Sequence, residues 1–322
     1  MDPAARPDRE ELDGLIEHAV RAPSVLNTQP WRFVVDDTGP AVRLYADRGR
    51  QLAALDPRGR ELTVSCGAAL LYLRIAAEHR GLDPVVRALP DGGGPDLLAV
   101  VTFRPDHRQG GDDRLFRALT DRRTNRRPFT DEPVPFGVAA ELAGAAAAEG
   151  AALHVFDEPD GKGALARLVA EGVLAQGADR AVSADIQTWL RPKDDPRPDG
   201  VPDSAQGMWD RHSSMRTPAA DVAEYKSRLV QRAPAVLVLT TEGDGPADWL
   251  AAGQALARAL VVAADRGLAA SYANEPVEVE RLRPEVAALV GGGHPQIVFR
   301  VGYPKSEPAS PRRPAHDVTD HA

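Results

Sequence analysis

The 322-residue sequence contains one cysteine, Cys66, which excludes an internal disulfide and any zinc or iron–sulfur centre built on several cysteines. Basic residues are also in deficit: 39 Lys and Arg face 47 Asp and Glu, for a formal charge of −8 and a pI near 5.5. General binders of nucleic acid or anionic membranes need a basic face, so any anion must be met by a local cluster. No run of about 18 apolar residues occurs, and Met1 to Pro7 lacks the apolar stretch of a signal peptide. These absences point to a soluble cytoplasmic protein with neither nucleic acid nor membrane as partner. Metal ligation is not signalled either, because His212, His294, His316 and His321 lack ligand spacing. Gly92-Gly93-Gly94 and Gly291-Gly292-Gly293 do not join a strand to a helix, so they read as turns and not as phosphate loops.

What the chain does have is length and pattern. With 43% hydrophobic residues it can bury one large core or two cores of about 150 residues each. Asp8 is an N-cap acid with Glu11 three residues on, and Leu12, Leu15, Ile16, Ala19 and Val20 share one helical face that ends at Ala22-Pro23. Trp31 to Val35 and Val42 to Tyr45 flank a turn at residues 36–40, the pattern of a hairpin. A helix over 61–79 stops at Gly81, with Cys66 on its apolar surface, and Leu97 to Phe103 reads as a buried strand.

The rest of the chain repeats this order: helix 138–149, strand 152–156, helix 164–174, strand 235–240, a long helix 249–266 and strand 296–301. Without gaps, Gly67-Ala68-Ala69-Leu70 overlies Gly253-Gln254-Ala255-Leu256, and Arg80-Gly81-Leu82 overlies Arg266-Gly267-Leu268. The expectation is two related halves, 1–115 and 116–322, set against the alternative that Ala-rich helices closed by glycine share chance identities. Residues 191–218, rich in Pro, Asp and Ser around Met208 and Trp209, read as a lid-like insertion in the second half.

Three clusters carry chemistry. Pro23 and Pro30 stiffen a loop that presents Ser24, Asn27, Thr28 and Gln29, whose hydroxyl and amide groups suit a ribityl chain or a flavin edge, or equally the capping of backbone groups. Arg122, Arg123, Arg126 and Arg127 set four guanidinium groups in six residues, with Thr124 among them, which suits a phosphate or a solvated surface run. Ser310-Pro311-Arg312-Arg313-Pro314 alone reads as a tail with two charges.

The run from Pro23 to Trp31 resembles the Pro-Ser-x-x-Asn-x-Gln-Pro-Trp segment of FMN-dependent nitroreductases, which likewise precedes a strand with a Phe-Val-Val core. The resemblance implies an α+β fold, normally a homodimer in which this segment touches a flavin held mainly by the other subunit. It implies flavin contacts for Pro23, Ser24, Val25, Asn27 and Gln29. The arginine run is similar to the family's Arg-Arg-Ser-x-Arg opening, which implies that Arg122, Thr124 and Arg126 hold the FMN phosphate and ring. Thr124 stands where the family has Ser, and Phe129 falls one residue late, which leaves Arg127 as an alternative to Arg126. A basic residue before a proline near the family's C-terminus closes over the phosphate, implying Arg312 with Arg313 as its substitute. Residues 267–276 resemble the stretch beneath the reactive N5 edge, implying Ala273 and Asn274. The family's Asn-x-x-Lys contact has no settled counterpart, although Lys226 and Arg228 lie near its expected region.

An ordinary nitroreductase subunit carries all of these motifs in one domain, whereas here they are divided between the halves. One complete set implies one FMN between halves packed as an intramolecular pseudo-dimer, a layout that resembles the Acg-type branch of the superfamily. The implied activity is an FMN-dependent oxidoreductase passing hydride or electrons from NAD(P)H to a nitroaromatic, quinone or activated alkene. In such chemistry the cofactor performs the redox step and no catalytic side chain is demanded, while a cation such as Arg126 near the N1–C2 edge stabilises the reduced ring. The competing expectations are a flavin-sequestering or flavin-sensing protein closed by 191–218, and a dehydrogenase running in the oxidative direction.

Overall fold

A computed structural model describes residues 7–36, 39–105, 112–205, 218–306 and 309–322. Met208, Trp209 and His212 of the lid-like stretch lie outside the described residues. The first part of the chain forms α1 (Arg9–Ala19), β1 (Trp31–Val35), β2 (Ala41–Ala46), α2 (Arg60–His79), β3 (Leu82–Ala88), β4 (Leu97–Pro105) and α3 (Asp113–Asp121). There follow α4 (Phe136–Ala147), β5 (Ala152–Phe156), α5 (Pro159–Ala178), α6 (Arg180–Thr188), β6 (Leu190–Arg191), β7 (Val201–Pro202) and α7 (Ala219–Gln231). The last elements are β8 (Ala235–Thr241), α8 (Pro246–Asp265), β9 (Ala269–Tyr272), α9 (Glu275–Glu278), α10 (Arg283–Leu289), β10 (His294–Gly302) and β11 (Thr319–His321). The fold is α+β.

Two sheets organise these elements, one ordered β11-β1-β2-β4-β3 and the other β5-β8-β10-β9. Leaving β11 aside, each is a four-stranded antiparallel sheet in which the third strand in sequence takes the edge and the fourth lies inside. In each, a 20-residue helix joins the second strand to the third, α2 in one and α8 in the other. These two helices cross at glycines. A Cβ on Gly67 would collide with the carbonyl oxygen of Leu250, and one on Gly253 would lie 2.8 Å from the Gly67 Cα and collide with the carbonyl of Val64. The absent side chains are therefore what brings the two helix backbones together.

The sheets differ in how they are covered. In β1 burial alternates, with Trp31, Phe33 and Val35 buried and Arg32 exposed, so one face meets α1 and α2. In β8 every residue is buried: Leu237 and Leu239 pack toward α8, and Val236 and Val238 pack toward α5, α7 and α10 on the opposite face. Cys66 lies in the first core with its Sγ 3.2 Å from the Pro30 carbonyl, and burial pushes its thiol pKa far up, away from reactivity. Segments also cross between the sheets. α3 straddles residue 115 and packs Ala118 and Leu119 into the first core, and the C-terminal β11 runs parallel to β1 with Phe33 opposite Thr319.

Candidate functional site

The loop after α1 is held in a conformation that few side chains adopt readily. Leu26, Asn27 and Gln29 have φ of 44°, 56° and 51°, each costing roughly 1 kcal/mol in the left-handed region. Neighbours hold the strain: Ser24 Oγ accepts from Gln29 N at 2.9 Å, and Ser65 Oγ on α2 accepts from Val25 N at 3.1 Å. Pro23, Ser24, Val25 and Leu26 consequently face a cavity of about 610 Å³ whose wall is largely apolar.

Asn27 and Gln29 do not line that cavity; they lie behind its wall, hydrogen-bonded to distant parts of the chain. Asn27 Nδ2 donates to the carbonyls of Gly200 (2.8 Å) and Pro311 (3.1 Å), and its Oδ1 accepts from Arg312 Nη1 at 2.9 Å. Gln29 Nε2 donates to the Pro198 carbonyl at 2.9 Å, and its Oε1 accepts from Arg313 N at 2.8 Å. The two amides thus bind the loop to the 198–200 segment and to the C-terminal tail. That segment is further held by Asp199, which pairs with Arg50 and with Arg191 Nη2 at 2.6 Å. Leu190 and Val201, from the β6–β7 pair, reach the wall of the cavity.

Across the cavity lie β9 and its continuation. Ser271, Tyr272, Ala273 and Asn274 line it, and Asn274 is fixed by accepting from Val298 N at 2.9 Å through Oδ1 and donating to Glu61 Oε1 at 3.0 Å through Nδ2. The arginine run passes alongside, bridged by Thr124 to Ala270 and by Asn125 N donating to the Ala270 carbonyl at 2.8 Å. Arg126 lines the apolar cavity, whereas Arg122 and Thr124 line a second, polar cavity of about 880 Å³ together with Arg312 and Arg313. Arg123 turns back to the Thr120 carbonyl at 2.5 Å, and Arg127 goes to Ser306 Oγ at 3.1 Å, which separates Arg127 from Arg126.

The polar cavity concentrates positive charge. Arg122 is buried, with its Nε donating to the Tyr72 hydroxyl at 2.9 Å. Burial, and then the neighbouring Arg122 charge, lowers the Arg312 pKa to about 9. Burial also lowers that of Arg313. Nε of Arg312 and Nη1 of Arg313 are buried with no hydrogen-bond partner among the described residues. Arginines lining one cavity with idle donors suit a multiply charged anion, which would offset the repulsion between Arg122 and Arg312 and satisfy those donors.

One set of residues was not indicated by motif: Glu61, Glu275 and Glu278, which also line the apolar cavity with Gln176 and Lys226. Glu61 shares a face of α2 with Val64, Ser65 and Ala68, all lining the cavity, so an acid on a buried helical stripe was the available signal.

The model of the nitroreductase family matches residues 2–58 and 119–303. The chain belongs to the nitroreductase family. It is 32% identical over 331 residues to Rv3131 of Mycobacterium tuberculosis, covering 98% of this chain and 92% of that protein. It is 31% identical over 323 residues to acg of the same organism, covering 95% and 94%. Both carry provisional names as NAD(P)H nitroreductases. Among solved structures, a nitroreductase with bound FMN from Desulfitobacterium hafniense aligns with a TM-score of 0.42 and 14% identity, over 64% of this chain and 97% of that one. The segments matched to the family hold the 23–29 loop, the arginine run, Ala273 and Asn274; Glu61, Arg312 and Arg313 lie outside them.

Proposed function

We propose that this chain binds one FMN, with the ring in the apolar cavity and the phosphate in the polar one, and that it is an NAD(P)H-dependent oxidoreductase for electron-poor small molecules such as nitroaromatics, quinones or activated alkenes. The observation that carries the reading is a pair of half-buried arginines, Arg312 and Arg313, each with one buried and idle donor, gathered with Arg122 and Thr124 from a distant part of the chain. These four side chains fit a phosphate dianion, and an apolar slot between Pro23-Ser24-Val25 and Ala273-Asn274 fits a flat aromatic ring. In this reading Asn27 and Gln29 act by clamping the loop and tail around the site. The halves 1–115 and 116–322 then act as an intramolecular pseudo-dimer, a reading supported by their common strand order and by the glycine crossing of α2 and α8.

FMN, when bound, would supply the redox chemistry between a nicotinamide donor and the acceptor. The chain's own residues orient the ring, neutralise charge at it through Arg126 and Arg300, and exclude water with the apolar wall. A second reading, flavin sequestration, is favoured by one observation: Asn27, Gln29 and Arg50 fasten residues 198–200 beside the cavity. Deleting 191–218 discriminates, because NAD(P)H oxidation absent from both forms while FMN stays bound would leave sequestration as the function.

The direct test is an absorbance spectrum with an FMN-to-chain ratio. A ratio of one is expected, and a chain that takes up no added FMN sinks the reading. Arg122→Ala and Arg312→Ala should each weaken FMN binding by about 10- to 100-fold, the value of a charge-assisted contact.

A further inference from the structure

Arg300 of β10 is 2% exposed and lines the apolar cavity. A buried cation is ordinarily answered by a carboxylate, but no acid of the described residues pairs with this one. Its hydrogen bonding among them is a single contact, Nη2 to the Asn125 carbonyl at 3.3 Å, which is long for such a bond. The Phe129 ring, 4.6 Å from its Cζ, steadies the guanidinium without neutralising it. Burial lowers the Arg300 pKa to about 10, and the one group drawing it back up is the phenol of Tyr225, which lines the cavity from α7. The group therefore stays charged at neutral pH.

The acids of the wall are engaged elsewhere. Glu61 faces Arg60 Nη2 at 3.1 Å and receives the Asn274 amide, Glu275 pairs with Lys226, and Glu278 receives Gln176 Nε2 at 2.5 Å. Arg180, a further cation of the wall, is exposed to water. Flavin alone leaves a surplus, because a reduced ring carries one negative charge whereas Arg126 and Arg300 are two cations. The β9–β10 register sets Arg300 opposite Ser271, two residues before Ala273. Its backbone thus lies about 7 Å along the strand from one wall of the slot assigned to the ring, within reach of an acceptor stacked there.

We propose that Arg300, assisted by Tyr225, binds a carboxylate or sulfonate of the electron acceptor, so that the acceptors this chain prefers are anionic aromatics. The inference rests on the flavin reading above and narrows its acceptor class. The guanidinium offers a carboxylate N–H groups in one plane, Tyr225 adds a hydroxyl, and the apolar wall takes the aromatic body.

The test compares 4-nitrobenzoate with 4-nitrobenzamide, a neutral counterpart of nearly equal size, on the FMN-loaded chain. A carboxylate withdraws electrons less than an amide, so the benzoate is the poorer acceptor by its own chemistry and a preference for it reports binding. Wild type should favour it by about 10-fold or more in kcat/KM, the value of a charge-assisted contact. R300M should bring the ratio to one or below, and R300K should restore part of it. Taking the ratio cancels any effect of Arg300 on the ring itself. A wild-type ratio of one or below, or a ratio unmoved in R300M, overturns the proposal. R300M exchanges an uncompensated buried cation for an apolar chain, a change that buried sites often tolerate, and the wild-type ratio is decisive without it.

A second measurement needs no flavin. Sodium benzoate should raise the heat-unfolding midpoint of the flavin-free chain more than benzamide does. R300M should lose that difference and R312A should keep it. No difference in wild type, or one lost in R312A and kept in R300M, which puts the anion in the polar cavity, overturns the proposal. Failure to take up FMN would instead overturn the flavin reading, while the midpoints still decide whether Arg300 holds an anion.

Discussion

Asn27 links three parts of the chain through one side chain: the strained loop that bears it, the Gly200 carbonyl, and the tail through Pro311 and Arg312. Asn27→Ala leaves a buried carbonyl and a guanidinium short of partners and should cost about 2–3 kcal/mol. Urea denaturation reads the loss, and amide exchange at 198–201 should quicken with it. The role of this residue was legible in the sequence only up to a fork. An amide offers donor and acceptor to a ligand and to backbone alike, and only the position of residues 170 or more further along decides which it meets. Arg126 and Arg127 were separated for the same reason, by the bridge of Thr124 to Ala270.

At the level of elements, α2 and α8 were readable because both repeat an apolar pattern and both end in Arg-Gly-Leu. The ungapped register of those two helices sets Gly67 on Gly253, the residues at which they cross. Gly253→Ala drives a methyl into the Val64 carbonyl and should destabilise the chain by about 3 kcal/mol or more, as a lower midpoint in thermal unfolding. Ala68→Gly, one position away and outside the closest contact, should cost only about 1 kcal/mol by helix propensity. β3 and α7 were not readable. β3 is a partly exposed edge strand in which Asp83, Pro84 and Arg87 break the alternation, and α7 buries only Val222, Ala223 and Val230 among its described apolar positions. α7 carries Lys226, so the acidic end of the cavity stayed out of sight with it.

Over the whole molecule, the two sheets share one strand order but are completed differently, since the first takes β11 from the far end of the chain. Phe33 N donates to the Val318 carbonyl at 2.7 Å, and Val318 is buried in the first core. Truncation after Pro314 keeps Arg312 and Arg313 but removes this edge and the Asp317 carbonyl that anchors Arg313. It should lower stability by about 2–4 kcal/mol and weaken FMN binding, measured by calorimetry and by flavin fluorescence titration. The crossing tail also bears on synthesis. Residues between Ala309 and His321 supply much of the wall of the polar cavity and follow its other residues in chain order, so on the ribosome that cavity takes shape only once this segment has emerged, whereas the apolar cavity is lined by earlier residues alone. A bulky group inserted directly behind β11 would therefore disturb the polar cavity while leaving the lining of the apolar one in place.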